Sequence, residues 1–127
     1  MIIGIGIDSV EVERFAHWHT YAPSTLRRIF SQEEIDYCLK NPLKTAERFA
    51  VRFAAREAFY KALSSAYPML NVPFLTLCKY ITITKSENQA PILYLNRQKP
   101  LIQNNIKTFV SFTHTKNTAS AFIILEN

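Results

Sequence analysis

The sequence predicts an α+β fold in which helices pack on one side of an antiparallel sheet, and three observations support this. Residues 44–64 contain no Gly or Pro and repeat apolar residues at helical spacing. Residues 109–115 and 118–125 alternate as two strands joined by a tight turn. Residues 2–10 also alternate and are expected to join the same sheet. No linker or repeat interrupts the chain, so we expect a single domain spanning residues 1–127.

The first strand, residues 2–10, carries the only two glycines of the chain, Gly4 and Gly6, on one face. Glycine weakens the interior of a strand, so two on one face indicate that another element packs very close to the backbone there. The Ala-rich helix 44–64 is the obvious candidate. The strand and the helix are therefore predicted to be in direct contact.

Charged residues stand at the edge of the apolar face of that helix. Glu57 and Lys61 are one turn apart, and Asp8, which shares the glycine face of the first strand, is predicted to come near Glu57. Two architectural alternatives remain open at this point. Asp8 could cap the following segment together with Glu11, and Glu57 with Lys61 could be an ordinary helix ion pair.

The remaining elements follow from local signals. Ser31 and Glu34 form a capping box, which predicts a helix ending near residue 39. Residues 10–20 are expected to form a short helix, and residues 97–105 fit either a short helix or an irregular connection. Alternation predicts two further strands and their turn at residues 79–85, 91–95 and 86–89. All four later strands are expected to share one sheet with the first strand.

The last two predicted strands are joined by a tight turn that lies close to a histidine. The hairpin turns at Lys116 and Asn117, where Asn117 is expected to adopt a left-handed conformation. His114 shares a strand face with apolar residues, so it is either a satisfied core histidine or a functional one. His17 and His19 do not share a helix face and are expected at the surface.

Composition limits the possible partners and the compartment. The net charge of +5 and a pI near 9.4 favour an anionic partner. Cys38 and Cys78 stand far apart and are expected to be buried, reduced thiols. The apolar stretches are too short for a membrane span and the N-terminus does not resemble a signal peptide, so we expect a cytoplasmic protein without a membrane partner.

Three segments of the chain, in order, resemble one enzyme family. They are GIGIDSVEVERF at the N-terminus, RFAAREAFYKAL in the long helix and VSFTHTKNTASAFIIL at the end. Together they are similar to the bacterial holo-acyl-carrier-protein synthases, the short class of 4′-phosphopantetheinyl transferases. The resemblance implies that family's fold and its reaction: transfer of the phosphopantetheine arm of coenzyme A to a serine of an apo acyl carrier protein, for fatty acid biosynthesis.

The resemblance also implies roles for individual residues. It assigns Asp8 and Glu57 as the ligands of Mg²⁺, and it assigns Lys61 and His114 to substrate binding, with Lys61 reaching a phosphate oxygen. Glu57 is our choice of general base, acting directly or through a water molecule. Arg52 is expected to contact the 3′-phosphate. The chemistry agrees, because phosphoryl transfer depends on positioning and on neutralising oxygen charges.

Assembly and docking are implied in the same way. The family is similar in forming homotrimers with active sites between subunits, and its carrier surface corresponds here to Arg14, Arg27 and Arg28. Ser64 stands where the family has a glycine-rich loop, and its hydroxyl is expected to contact substrate instead.

Three rival functions are left open. A nucleic-acid-binding module would fit the pI, but it gives no role to Asp8 and Glu57, and we expect no nucleic-acid partner. An inactive trimer that kept the fold, and a phosphohydrolase that acts without a carrier, are the other two.

Overall fold

Helix α3, Thr45–Ala66, is the 22-residue element against which most of the molecule packs. The structure is a computed structural model that describes residues 1–96, 98 and 105–127. The other helices and the strands, in chain order, are β1 Ile2–Glu11, α1 Pro23–Leu26, α2 Gln32–Leu39, α4 Phe74–Cys78, β2 Ile81–Lys85, β3 Pro91–Leu95, β4 Lys107–His114 and β5 Thr118–Glu126. The α+β class predicted from the sequence is confirmed.

The strands form two antiparallel sheets, so the expectation of a single sheet is wrong. One sheet has the order β1-β5-β4, and β2 pairs only with β3 in the other. Where β3 and β4 approach, the Thr108 hydroxyl donates a hydrogen bond of 2.9 Å to the Leu93 carbonyl. A side-chain hydrogen bond therefore links β3 to β4, where a ladder of backbone hydrogen bonds was expected.

The predicted close contact between β1 and α3 is confirmed at both glycines. A Cβ atom added at Gly6 would overlap the carbonyl oxygen of Ala58, and one at Gly4 would overlap that of Ala62. Ala58 and Ala62 are fully buried and stand one helical turn apart. Because neither side offers a bulky side chain, the helix backbone lies directly on the strand.

The two faces of the three-stranded sheet differ in burial. The inner face packs on α3 through Val10 of β1 and the buried alternate residues of β5, Ala119, Ala121, Ile123 and Leu125. The outer face, which we define by Ile5, Ile7, Phe109 and Phe122, is apolar and exposed, with fractions of 53%, 60%, 51% and 36%. A free sheet face of this composition is typical of a surface that another chain covers.

Several local expectations need correction. Residues 10–20 form two short 3-10 turns instead of a helix, because β1 runs on to Glu11 and the Val12 amide donates to the Asn117 carbonyl. Helix α3 continues to Ala66, two residues beyond its predicted end at residue 64. The short helix α4 was not predicted. Most of residues 97–105 lie outside the described part of the chain.

The left-handed conformation expected at Asn117 is also wrong. Among the described non-glycine residues only Gln89, in the turn between β2 and β3, has a positive φ, of 67°. At the final hairpin the Thr115 hydroxyl accepts hydrogen bonds from the amides of Asn117 and Thr118 instead. The turn is closed by a side chain, so Asn117 does not need the left-handed conformation.

Other predictions are confirmed. Ser31 caps α2, with a reciprocal hydrogen bond from its own amide to Glu34. Cys38 and Cys78 are free and buried, and both surface histidines are exposed. The described helices include none that is both long and apolar enough to cross a bilayer.

Candidate active site

Asp8 and Glu57 are brought to the same place by β1 and α3. Asp8 follows Gly6 on the face of β1 that packs on α3, and Glu57 lies one turn before Lys61 on that helix. The Lys61 ammonium donates to Asp8 Oδ1 at 3.0 Å and to the Ile7 carbonyl at 3.1 Å. Lys61 therefore bridges the helix to the strand next to the two carboxylates.

The structure supports neither architectural alternative, which were a cap formed by Asp8 and an ion pair between Glu57 and Lys61. Asp8 pairs with Lys61, and the turn after β1 begins at Glu11 without a side-chain cap. In the described chain no ion pair joins Glu57 to Lys61. The pKa of Glu57 is raised, first by burial and then by the neighbouring charge of Asp8, although Lys61 and Arg14 lower it in part.

This pair of carboxylates has the chemistry of a small divalent cation site. Two oxygen donors from two different elements face a common region, and the charge of Asp8 opposes ionisation of Glu57. The described residues contain no cluster of three His, Cys, Asp or Glu. Mg²⁺ is commonly held by one or two carboxylates, with waters and substrate phosphates as its other ligands. Asp8 and Glu57 therefore fit Mg²⁺ better than a metal that needs a full protein cage.

A second feature is a cavity of about 330 Å³ beside the N-terminal half of α3, which we call the basic cavity. Its lining includes four cationic side chains, and His114 and Glu47 also line it; the cations are Lys44, Arg48, Arg52 and Lys85. His114 Nε2 lies 3.0 Å from Glu47 Oε1. The lining thus carries more positive than negative charge and suits a phosphate group.

One wall of the basic cavity is the ring of Tyr37, from α2. The guanidinium carbons of Arg48 and Arg52 lie 4.0 Å and 4.7 Å from the ring centroid, and Lys85 Nζ lies 5.1 Å from it. Burial acts to raise the pKa of Tyr37, but Lys85, Arg48 and Arg52 together lower it below its ordinary value. The lowered pKa reflects the positive field of this wall.

Behind that wall lies a buried ionic cluster that the sequence analysis missed. Arg56 donates to both oxygens of Glu34, at 2.6 Å and 2.8 Å, and to the Ile81 carbonyl at 3.1 Å. Arg52 Nε lies 4.0 Å from Glu34 Oε2. The four-residue spacing of the arginines along α3 was a visible signal, but Glu34 had been interpreted only as a capping residue.

The basic cavity and the carboxylate pair are separate within one chain. None of Asp8, Glu57 and Lys61 lines the cavity. Arg52 and Glu57 are five positions apart, which corresponds to about 140° around an α-helix. Ser64 is exposed one turn beyond Lys61 and also lies outside the cavity lining. Of the predicted site residues, Arg52 and His114 thus meet at the cavity, and Asp8, Glu57 and Lys61 meet at the strand.

The three predicted docking arginines, Arg14, Arg27 and Arg28, are exposed. Arg14 lies 5.8 Å and 5.9 Å from the ring centroids of Phe15 and Phe53, and its charge lowers the pKa of Glu57. Arg14 therefore stands on the carboxylate side of α3, next to the surface formed by the turns after β1.

The comparisons with known proteins identify the family of this chain. A family model described as the 4′-phosphopantetheinyl transferase superfamily matches residues 4–122. The chain belongs to the 4′-phosphopantetheinyl transferase superfamily. A relative from Treponema pallidum named holo-[acyl-carrier-protein] synthase is 37% identical over 128 residues, which cover 99% of this chain and 97% of the relative.

Solved structures resemble this transferase over its whole length. A holo-(acyl-carrier-protein) synthase from Bacillus anthracis, in complex with CoA (3′,5′-ADP), has a TM-score of 0.74 and 27% identity, over 98% of this chain and 96% of that one. The Helicobacter pylori enzyme, in complex with coenzyme A, has a TM-score of 0.72 and 27% identity, over 96% of this chain and 99% of that one. The predicted family, its fold and the enzyme class of phosphopantetheinyl transferase are confirmed.

Proposed function

We propose that this transferase moves the 4′-phosphopantetheine group of coenzyme A to a serine of an apo acyl carrier protein. The serine oxygen attacks the phosphorus that carries pantetheine, the bond to the bridging pyrophosphate oxygen breaks, and adenosine 3′,5′-bisphosphate leaves. The observation that carries the proposal is the meeting of Asp8 and Glu57 at the contact of β1 with α3. We assign the reaction to fatty acid biosynthesis in the cytoplasm.

Asp8 and Glu57 would hold Mg²⁺, which would neutralise charge on the pyrophosphate when bound. Their two elements are fixed by the glycine contacts, so the carboxylates are positioned by backbone packing. Lys61 is half-exposed and bound to Asp8 by a single contact, so its ammonium can exchange to a phosphate oxygen of the leaving group.

Glu57 is also our candidate for accepting the serine proton. Until a cation binds, burial and the Asp8 charge raise its pKa, which makes it a stronger base than an ordinary exposed carboxylate. The transfer can be direct or through a water molecule. In either case the proton leaves the serine as its oxygen bonds to phosphorus.

The basic cavity is our candidate for the 3′-phosphate of coenzyme A. Arg52, predicted to contact that group, lines it together with Arg48 and His114. A phosphomonoester carries nearly two negative charges at neutral pH, which suits a lining with four Lys and Arg side chains. Ser64, exposed one turn beyond Lys61, is our candidate for a further substrate contact through its hydroxyl.

The separation of the two sites supports a homotrimer. One subunit presents its carboxylate pair and its basic cavity on different sides of α3, so a neighbouring subunit would complete each site. The exposed outer face, Ile5, Ile7, Phe109 and Phe122, offers the apolar surface for such an assembly. The carrier would dock on the exposed arginines Arg14, Arg27 and Arg28, of which Arg14 lies on the carboxylate side of α3, because a basic chain favours an anionic partner.

Intact-mass spectrometry of an apo acyl carrier protein tests the proposal. Incubation with the transferase, coenzyme A and Mg²⁺ should add one phosphopantetheine to the carrier, about 340 Da, and EDTA should prevent the gain. Release of phosphopantetheine without any modified carrier would indicate a phosphohydrolase instead. An unmodified carrier with intact coenzyme A, for several carriers, would indicate an inactive member of the fold.

A further inference from the structure

Three cationic side chains surround the ring of Tyr37, which is half-buried. Arg48, Arg52 and Lys85 all lie within 5.1 Å of its centroid. Arg48 contacts the same residue a second time, because its Nη1 donates to the Tyr37 carbonyl at 2.9 Å. Like charges repel at such distances, and an aromatic face attracts the cations that lie over it.

Salt bridges do not account for the placement of Arg52. Glu34 is fully buried and already accepts two short hydrogen bonds from Arg56. Arg52 Nε is 4.0 Å from Glu34, and within the described chain it is a buried donor without a hydrogen-bond partner. Its Nη1 makes one 3.3 Å hydrogen bond, to the Arg48 carbonyl of its own helix. The Tyr37 ring therefore adds to these two long contacts in holding the Arg52 guanidinium against the cavity wall.

We propose that Tyr37 is a positioning residue of the basic cavity, whose ring holds Arg48 and Arg52 side by side so that they bind one phosphomonoester together. The inference rests on the proposed function, in which this phosphomonoester is the 3′-phosphate of coenzyme A. Without the ring, Arg48 keeps its hydrogen bond to the Tyr37 carbonyl and Arg52 keeps only its two long contacts, so the binding of a phosphate must order the pair again.

Calorimetric titration with coenzyme A and with 3′-dephospho-coenzyme A, in the presence of Mg²⁺, tests the role of Tyr37. The wild type should bind coenzyme A at least about tenfold more tightly than the dephosphorylated ligand. Tyr37→Leu and Tyr37→Gln both remove the ring, and either one that folds gives the test. Each should weaken coenzyme A binding by about tenfold and leave the affinity for the dephosphorylated ligand within about twofold.

Two further variants separate the ring from other effects. Tyr37→Phe keeps the ring and should bind coenzyme A within about threefold of the wild type. Tyr94→Leu removes an exposed tyrosine that lies outside the cavity lining and should change neither affinity. Far-ultraviolet circular dichroism and thermal unfolding establish that each variant is folded.

The outcomes distinguish this inference from the function on which it rests. Equal weakening of both ligands in the ring-deleted variants would overturn the positioning role, and so would unchanged binding of coenzyme A. A wild type that binds both ligands with equal affinity would show that the cavity does not bind the 3′-phosphate. A wild type that binds neither ligand would contradict the proposed function itself.

Discussion

Glu57 combines two properties at the level of a single residue. Its carboxylate is half-buried, and the nearby Asp8 makes its ionisation more costly. Both effects raise its pKa and both are relieved when a cation approaches. The same setting thus favours metal binding. A bound cation would offset the raised pKa, so Glu57 would then accept the serine proton through a water molecule and not as a strengthened base.

Glu57→Gln should reduce the turnover of carrier modification by at least about 100-fold, because the amide keeps the shape and loses the charge and the basicity. The measurement is the initial rate of phosphopantetheine transfer at saturating Mg²⁺ and coenzyme A. Glu87→Gln, in the exposed turn between β2 and β3, is the matched control and should retain normal turnover. A Glu57→Gln rate near that of the control would remove Glu57 from the mechanism.

The thiols of Cys38 and Cys78 are predicted to be unreactive in the folded chain at pH 8. Burial raises the pKa of Cys38 to about 12 and that of Cys78 to about 11. At pH 8, below both values, the thiols are protonated, and the thiolate is the reactive form. We expect an aromatic disulfide reagent to label no thiol of the folded chain within minutes and two thiols after unfolding in urea. Rapid labelling of either native cysteine would contradict the burial that the structure describes.

Some residues of the site could be predicted from local sequence patterns, and others depend on tertiary packing. Asp8 and Glu57 could be placed together because two glycines on one strand face already required a close helix. Glu34 could not be placed in the ionic cluster, because its spacing from Ser31 fully explains it as a capping residue. Arg48 could not be predicted, because its spacing from Arg52 is also that of a solvated helix face and only the docking of α2 places both in a cavity wall.

At the level of elements, the contact of β1 with α3 fixes the site. Gly6→Ala should lower the free energy of unfolding by about 3 kcal/mol, because its Cβ would overlap the Ala58 carbonyl and neither backbone can move freely. Ser9→Ala, on the opposite face of β1, removes only a 2.6 Å hydroxyl contact with Ser120 and should cost about 1 kcal/mol. Urea unfolding measures both, and equal values would show that the helix accommodates a methyl group.

Helix α2 is joined to α3 by the buried cluster of Glu34, Arg52 and Arg56. Glu34→Gln should lower the free energy of unfolding by about 3 kcal/mol, because two buried guanidiniums lose their carboxylate. Glu33→Gln alters the neighbouring, exposed residue of the same first turn and should stay within about 0.5 kcal/mol of the wild type. A similar small change for both variants in urea unfolding would mean that the cluster adds no net stability.

For the whole molecule, local pattern identified the strands better than their partners. Residues 79–85 and 91–95 were predicted as strands and β2 and β3 lie there, but alternation contains no information about which edges meet. The separation of β3 from β4 is therefore a tertiary property. Apolar residues on both sides of β5 indicate that its second face is covered, by a helix or by another subunit, and the single chain leaves that face exposed.

Ile7→Lys tests whether the outer face joins subunits. A lysine in place of this isoleucine, which is 60% exposed in the single chain, would put a charge inside an apolar interface and should convert a trimer into monomers. Transfer activity should fall with assembly, because each proposed site needs two subunits, while the circular dichroism spectrum stays unchanged. Light scattering coupled to size exclusion measures the mass.

Leu43→Lys, at a loop residue that is 96% exposed and outside the outer face, is the control and should leave the mass of the assembly unchanged. A wild type that is monomeric and fully active would contradict the shared site, and an Ile7→Lys trimer would place the interface elsewhere.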